Sequence, residues 1–269
     1  MRGNMRPNTI ALPLLLACCL ASLLTVPAAA QPKPVYLRST CVKANTGAGA
    51  EYEKLHADVY LKLAQYRIKE GAMLRYALSR AVLPSGEQSE CDYLISYTYP
   101  GFPPELTPAI TAKNLKAAGV TMTYDAMMAR SRSLAKQVAT RIFVVRASAG
   151  TIGPDAYFHV NRMKVKDMAA WLKLENELWK PIMEARIADK QLTGWTSYTL
   201  VLPGGSAQPF NAATVDAYPS WDSMGTQKPL GGYVQKVHPG MTAAQFNEAG
   251  ANARDLLLRE VFKVVVEAH

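Results

Sequence analysis

The chain repeats itself, and no other feature narrows its possible folds as far. Residues 52 to 102 lie on residues 171 to 221 at a constant offset of 119, without a gap. Ten of the fifty-one pairs are identical, a modest share whose weight comes from where the identities fall. Lys54-Leu55 answers Lys173-Leu174, and Arg67-Ile68 answers Arg186-Ile187. The turn residues Val82-Leu83-Pro84 and Gly86 answer Val201-Leu202-Pro203 and Gly205, and Tyr99-Pro100 answers Tyr218-Pro219. Aromatic positions also keep step: Tyr52 with Trp171, Tyr60 with Trp179, Tyr76 with Trp195, Phe102 with Trp221. Self-similarity at a fixed period marks a duplicated structural unit.

Each copy has the same local grammar. Val35 to Lys43 and Ala156 to Lys164 alternate β-branched or aromatic residues with polar ones, which predicts a strand. A helix follows, carried by the stripe Tyr52, Leu55, Val59, Leu63 and Tyr66, and again by Trp171, Leu174, Leu178, Ile182 and Ala185. Pro181 has no counterpart and should kink or restart the second helix. Two strands come next, folded back at Pro84-Ser85-Gly86 and Pro203-Gly204-Gly205. A last helical stripe runs from Met127 to Val145 and from Phe246 to Val264; its β-branched end suits a closing strand equally well, and periodicity leaves the choice open.

The unit is therefore β-α-β-β-α, the opening of a ferredoxin-like arrangement. Two helices cover one face of its sheet, and the bare face needs a partner that the second copy supplies. The expected fold class is α+β: two tandem ferredoxin-like modules, at 31–150 and 151–269, packed as an intramolecular barrel.

The segment Tyr157 to Trp221, with its strand YFHVNRMKV, its helix WLKLENELWKPIMEARIADKQLTGW, its turn LPGG and its closing AYPSW, resembles the dimeric α+β barrel superfamily. The nearest branches are the NIPSNAP-like and antibiotic-biosynthesis-monooxygenase-like ones. The resemblance implies two modules meeting by their open sheet faces around a cleft, here fused in one chain, so that a monomer suffices, although the sequence sets no oligomeric state. It implies no one activity, because that superfamily holds cofactor-free oxygenases, haem-handling enzymes, cyclases, isomerases and binding proteins.

Residues 1 to 30 read as a cleaved signal peptide: Arg2 and Arg6 precede an uncharged run from Ile10 to Val26, and Ala28-Ala29-Ala30 offers a cleavage site. A lipidated Cys18 is a weaker reading, since apolar sequence continues past it. The run is shorter than the ~20 residues of a spanning helix, and no transmembrane helix is expected. The destination is periplasmic or secreted. Removing the leader takes away two arginines and changes the net charge from +9 to about +7. The basic residues are scattered, so no nucleic acid is expected as a partner.

Named catalytic signatures are missing: no His-Glu-x-x-His, Cys-x-x-Cys, Gly-x-Ser-x-Gly or phosphate-binding glycine loop occurs. Gly47-Ala48-Gly49 reads as a loop. The four histidines, His56, His159, His238 and His269, lie at no ligand spacing, and neither a metal nor a cofactor is expected. His56 reads as a surface or boundary residue and His238 as a loop residue. Arg67 and Arg186 stand near the ends of matched helices, where the macrodipole accounts for them; the sharper alternative has them share one anion. Trp171 belongs to a core stripe, whereas Trp179, Trp195 and Trp221 are candidates for a pocket rim.

Cys41 and Cys91 remain in the mature chain. Topology puts them at one end of neighbouring strands, while side-chain parity puts them on opposite faces, so a bridge requires a bulge or a frayed end. The candidate catalytic pair is His159 and Asp216, aligned across two antiparallel strands, where a carboxylate would orient an imidazole base. Phe158 and Val160 are assigned to the helix side, which turns Tyr157, His159 and Asn161 toward the cleft, with Tyr218 and Asp216. Arg38 would face the same cleft and hold an anion. The expected function is binding or transforming a small molecule between the modules; the alternative is a non-catalytic structural or protein-interaction module of the cell envelope. A ligand cleft should hold roughly 300 to 1,000 Å³.

Overall fold

The computed structural model describes residues 33–269; the expected signal segment, 1 to 30, lies outside them. The first half runs β1 (Tyr36–Ala44), α1 (Gly49–Leu55), a π-helical turn (His56–Tyr60), α2 (Leu61–Lys69), β2 (Arg75–Leu83), β3 (Tyr93–Tyr99), α3 (Pro108–Ala117), α4 (Tyr124–Leu134) and β4 (Ala135–Gly150). The second half runs β5 (Tyr157–Val165), α5 (Met168–Lys173), a π-helical turn (Leu174–Trp179), α6 (Lys180–Ala188), β6 (Gly194–Leu202), β7 (Ala212–Tyr218), α7 (Trp221–Gly225), α8 (Leu230–Val237), α9 (Ala243–Ala253) and β8 (Arg254–Ala268). The bounds of α2, β2, β3 and α4 recur 119 residues later in α6, β6, β7 and α9, while α3 gives way to α7 and α8; Leu83-Pro84 and Leu202-Pro203 close corresponding strands. Pro181 restarts α6 at its first turn. A π-helical turn precedes α2 as well, where no proline stands, so proline is not its cause.

All eight strands pair antiparallel in one closed barrel, ordered β1-β3-β2-β8-β5-β7-β6-β4. Closure settles the segments that periodicity left open. The helical stripe stops at Leu134 and at Ala253, and the rest becomes β4 and β8. Each of these strands has a partner on both sides: β4 lies between β1 and β6, and β8 between β2 and β5. Two rows of backbone hydrogen bonds outweigh a local helical preference in a β-branched stretch. At the β4–β6 junction Gly150 and Gly194 pair, and carbonyls of the opposite strand leave no room for a Cβ on either.

Inside the barrel lies an apolar core of Leu94, Phe158, Val215, Ala217, Phe262 and Val264. Three ion pairs cross its rim, Arg75 with Glu267 at 2.7 Å, Arg162 with Glu260 at 2.7 Å, and Arg141 with Glu90 at 3.0 Å. Cys41 and Cys91 form a disulfide in this core. The parity conflict is resolved by a bend at Asp92 just before β3. The Asp92 carboxylate fixes that bend by pairing with Lys43 at 2.8 Å and accepting from the Ala44 amide at 2.9 Å. Among the described residues no helix is long and apolar enough to cross a membrane.

Candidate functional site

The expected cleft between the halves is nearly full. Its interior cavity, bounded by residues such as Leu37, Ser96, Phe143, Val160 and Tyr198, holds about 90 Å³. The assignment of sheet faces is also reversed: Phe158 and Val160 point into the barrel with Ala213 and Val215, while His159, Asn161 and Asp216 face the helices. Alternation identifies which residues share a face but not which face is inside. A closed barrel with small room at its centre takes the compact apolar set and leaves the polar set to the helix layer.

Larger spaces lie outside the barrel, among them an open groove of about 560 Å³ beside His159, Trp221 and Met224. Between the sheet and the helices of the first half lies a pocket of about 560 Å³, within the usual range for small-molecule sites. Its floor is Arg38 and Thr40 of β1 with Ile95, Tyr97 and Tyr99 of β3, and Arg38 pairs with Tyr97 across the strands. Tyr52, Tyr60, Ala64 and Arg67 come down from the first helical run, and Tyr124, Met127 and Ser131 close the side from α4. Behind this wall His56 is fully buried, a correction to its surface assignment. Its ring stacks on Tyr60 with centroids 4.4 Å apart, and its Nδ1 is hydrogen-bonded to the Tyr76 hydroxyl. Burial lowers its pKa to about 3, so the imidazole is neutral. Burial likewise pushes the Tyr52, Tyr60 and Tyr97 hydroxyls up, with neighbouring tyrosines adding to the effect for Tyr52 and Tyr97. They stay protonated and able to donate hydrogen bonds.

The corresponding space of the second half is divided: about 40 Å³ remains against the sheet, and a separate groove of about 400 Å³ lies outside it beside Trp179, Phe246, Gly250 and Arg254. Residues 119 positions on explain the difference: Trp171 stands for Tyr52, Trp179 for Tyr60, Met183 for Ala64, Phe246 for Met127 and Arg254 for Ala135. Trp171 and Trp195 are buried core residues, and Trp195 is thus not on a rim; Trp179 lies edge-on to Phe246 at 4.7 Å, and Trp221 is exposed on α7.

His159 and Asp216 are cross-strand partners as expected, yet they do not form a dyad. The Asp216 carboxylate accepts from the Asn161 amide at 2.9 Å, and Asn161 in turn accepts from Arg259 at 2.7 Å. His159 Nδ1 is 3.2 Å from the Tyr218 hydroxyl, and its ring borders an open groove beside Trp221 and Met224. Burial lowers the His159 pKa against the pull of Asp216, with Arg259 and Arg186 adding to the lowering. Tyr157 meets Trp221 edge-on. Asn161 thus satisfies Asp216, Tyr218 meets His159, and Arg38 stands apart from them in the first-half pocket. Arg67 and Arg186 do not share a ligand either: Arg67 lines that pocket, whereas Arg186 donates to Gln227 at 2.6 Å. His238 accepts its loop role, with Nε2 3.1 Å from the Leu178 carbonyl. The legible signal for the pocket was the matched Tyr and Trp positions, which pointed to unequal filling of equal places.

The sequence matches no family model and no curated protein. Solved structures do resemble it. A proposed monooxygenase from Lactobacillus acidophilus NCFM aligns with a TM-score of 0.53 over 88% of this chain and 96% of its own, at 12% identity. A proposed monooxygenase from Fusobacterium nucleatum gives 0.49 over 88% and 95% at 14% identity, and an anthrone oxidase-like protein 0.49 over 89% and 94% at 11%. The first likeness, at that identity, speaks for the fold alone.

Proposed function

We propose that this chain is an exported small-molecule-binding protein whose site is the helix-side pocket of its first half. The observation that carries the reading is one continuous pocket of about 560 Å³ running from helices to sheet in the first half, where the second half keeps about 40 Å³ against its sheet and a separate, more open groove of about 400 Å³ outside it. A protein that only needed to pack would fill the sheet-side space of both halves, because an unfilled core cavity costs stability. The nearly full barrel interior would by itself have favoured a non-catalytic interaction module; the helix-side pocket favours ligand binding.

The strand orders β4-β1-β3-β2 and β8-β5-β7-β6 support two fused ferredoxin-like modules at 31–150 and 151–269. A cleaved segment at 1 to 30 and a periplasmic or secreted destination accord with the Cys41–Cys91 disulfide, which persists in oxidising compartments.

The test is binding of a neutral aromatic probe, N-phenyl-1-naphthylamine, followed by its fluorescence, together with mass spectrometry of ligands carried through purification. One saturable site that Ala64→Met weakens at least tenfold is expected. No binding, or binding indifferent to Ala64→Met, would sink the reading.

A further inference from the structure

Among the described residues two arginines are less than a tenth exposed, Arg67 and Arg162, and only Arg162 is paired. Arg162 is 8% exposed and meets Glu260 at 2.7 Å as well as Glu90. Arg75 is held by Glu267 and by the Ile152 carbonyl. Arg67 is more deeply buried than either, at 4% exposure, and among the described residues it has no ion pair and no hydrogen bond. Its one close neighbour of note is the Tyr99 ring, 5.5 Å from the guanidinium carbon. A buried unpaired cation costs several kcal/mol, whereas a cation–π contact of this kind returns about 0.5 to 2 kcal/mol. The remaining cost is relieved only by what fills the pocket that Arg67 borders.

The rest of the lining has the same polarity. Arg38 reaches in from β1, likewise without an ion pair among the described residues, and Arg132 stands exposed on α4. No aspartate or glutamate lines the pocket. Its aromatic wall of Tyr52, Tyr60, Tyr97, Tyr99 and Tyr124 offers flat apolar faces and hydroxyl donors. The matched arginine of the second half, Arg186, donates to Gln227, although its Nε is left without a partner; this helix position therefore admits a protein acceptor that Arg67 lacks.

Resting on the reading of the pocket as a ligand site, we propose that its ligand is an aromatic molecule bearing one anionic group, a carboxylate, sulfonate or phosphate, held by Arg67 and Arg38. Guanidinium groups suit this role because their planar donors match such oxyanions two at a time. Exposed Arg132 then serves to attract the ligand toward the entrance.

The experiment compares two probes of nearly the same body, 1-anilinonaphthalene-8-sulfonate and the neutral N-phenyl-1-naphthylamine, on the mature protein. The sulfonate is expected to bind at least tenfold more tightly. Arg67→Met should remove that preference by cutting sulfonate affinity at least tenfold more than that of the neutral probe, Arg67→Lys should keep part of it, and Arg38→Met should narrow it in the same direction. Equal affinities for the two probes, or equal losses of both in Arg67→Met, overturn the anion assignment while the binding site stands. Failure of both probes to bind, with Ala64→Met also without effect, overturns the site and the assignment together.

Discussion

Ala64 of α2 and Met183 of α6 stand 119 residues apart at corresponding helix positions, each facing the space between its helices and the sheet. The longer side chain belongs to the filled half. Met183→Ala should open a cavity there and cost about 2 to 5 kcal/mol in unfolding free energy, the usual range for removing a buried methionine. Ala64→Met should cost less than about 1.5 kcal/mol, because it fills space already present. Urea titration of both variants separates these outcomes; equal destabilisation would contradict the unequal filling.

His56 is neutral and buried, with its pKa lowered from 6.5 to about 3. In that window the unfolded chain binds a proton that the folded chain refuses, so this group's contribution is fully present above about pH 6.5 and is lost as pH falls toward 3. His56→Gln removes the proton but also disturbs the Tyr76 contact. The expected result is a variant less stable than the parent at pH 7 that recovers on the order of 2 kcal/mol relative to it by pH 5. Thermal midpoints at the two pH values measure the difference, and a constant gap would argue against a buried neutral imidazole.

Glu175 shows the opposite sign. Burial raises its pKa from 4.5 to about 8, against the pull of Arg254, and its Oε1 has no hydrogen-bond partner among the described residues. The folded state therefore holds a proton that the unfolded state releases, and stability is lost as pH rises from about 4.5 through 8. Glu175→Gln should gain roughly 2 to 4 kcal/mol relative to the parent between pH 5 and pH 8. In the parent the two slopes oppose each other between about pH 4.5 and 6.5, where these groups should give a plateau. Chemical denaturation across pH 4 to 9 tests both statements.

The disulfide joins residues 50 apart in sequence and sits in the barrel core. A loop of that length restricts the unfolded chain by an amount worth at most about 4 kcal/mol. Replacing both cysteines by serine should lower unfolding free energy by about 2 to 4 kcal/mol. Before reduction the mature protein should show no reactive thiol from Cys41 or Cys91; titration of two thiols in unreduced protein would disprove the bridge.

Much of this architecture is written along the chain. Alternation and the 119-residue offset gave six of the eight strands, both first helices, the matched turns at Pro84 and Pro203, and the cross-strand alignment of His159 with Asp216, because each depends on residues near in sequence or equal in pattern. Tertiary structure decided the rest. Whether Phe158 or His159 faces the barrel depends on closure, since alternation is symmetric between faces. Whether residues after Leu134 continue as helix depends on two strand partners far along the chain. The pocket itself depends on volumes: Ala64 against Met183 is visible as a pair of letters, but the space one leaves and the other takes exists only once helix and sheet are packed together.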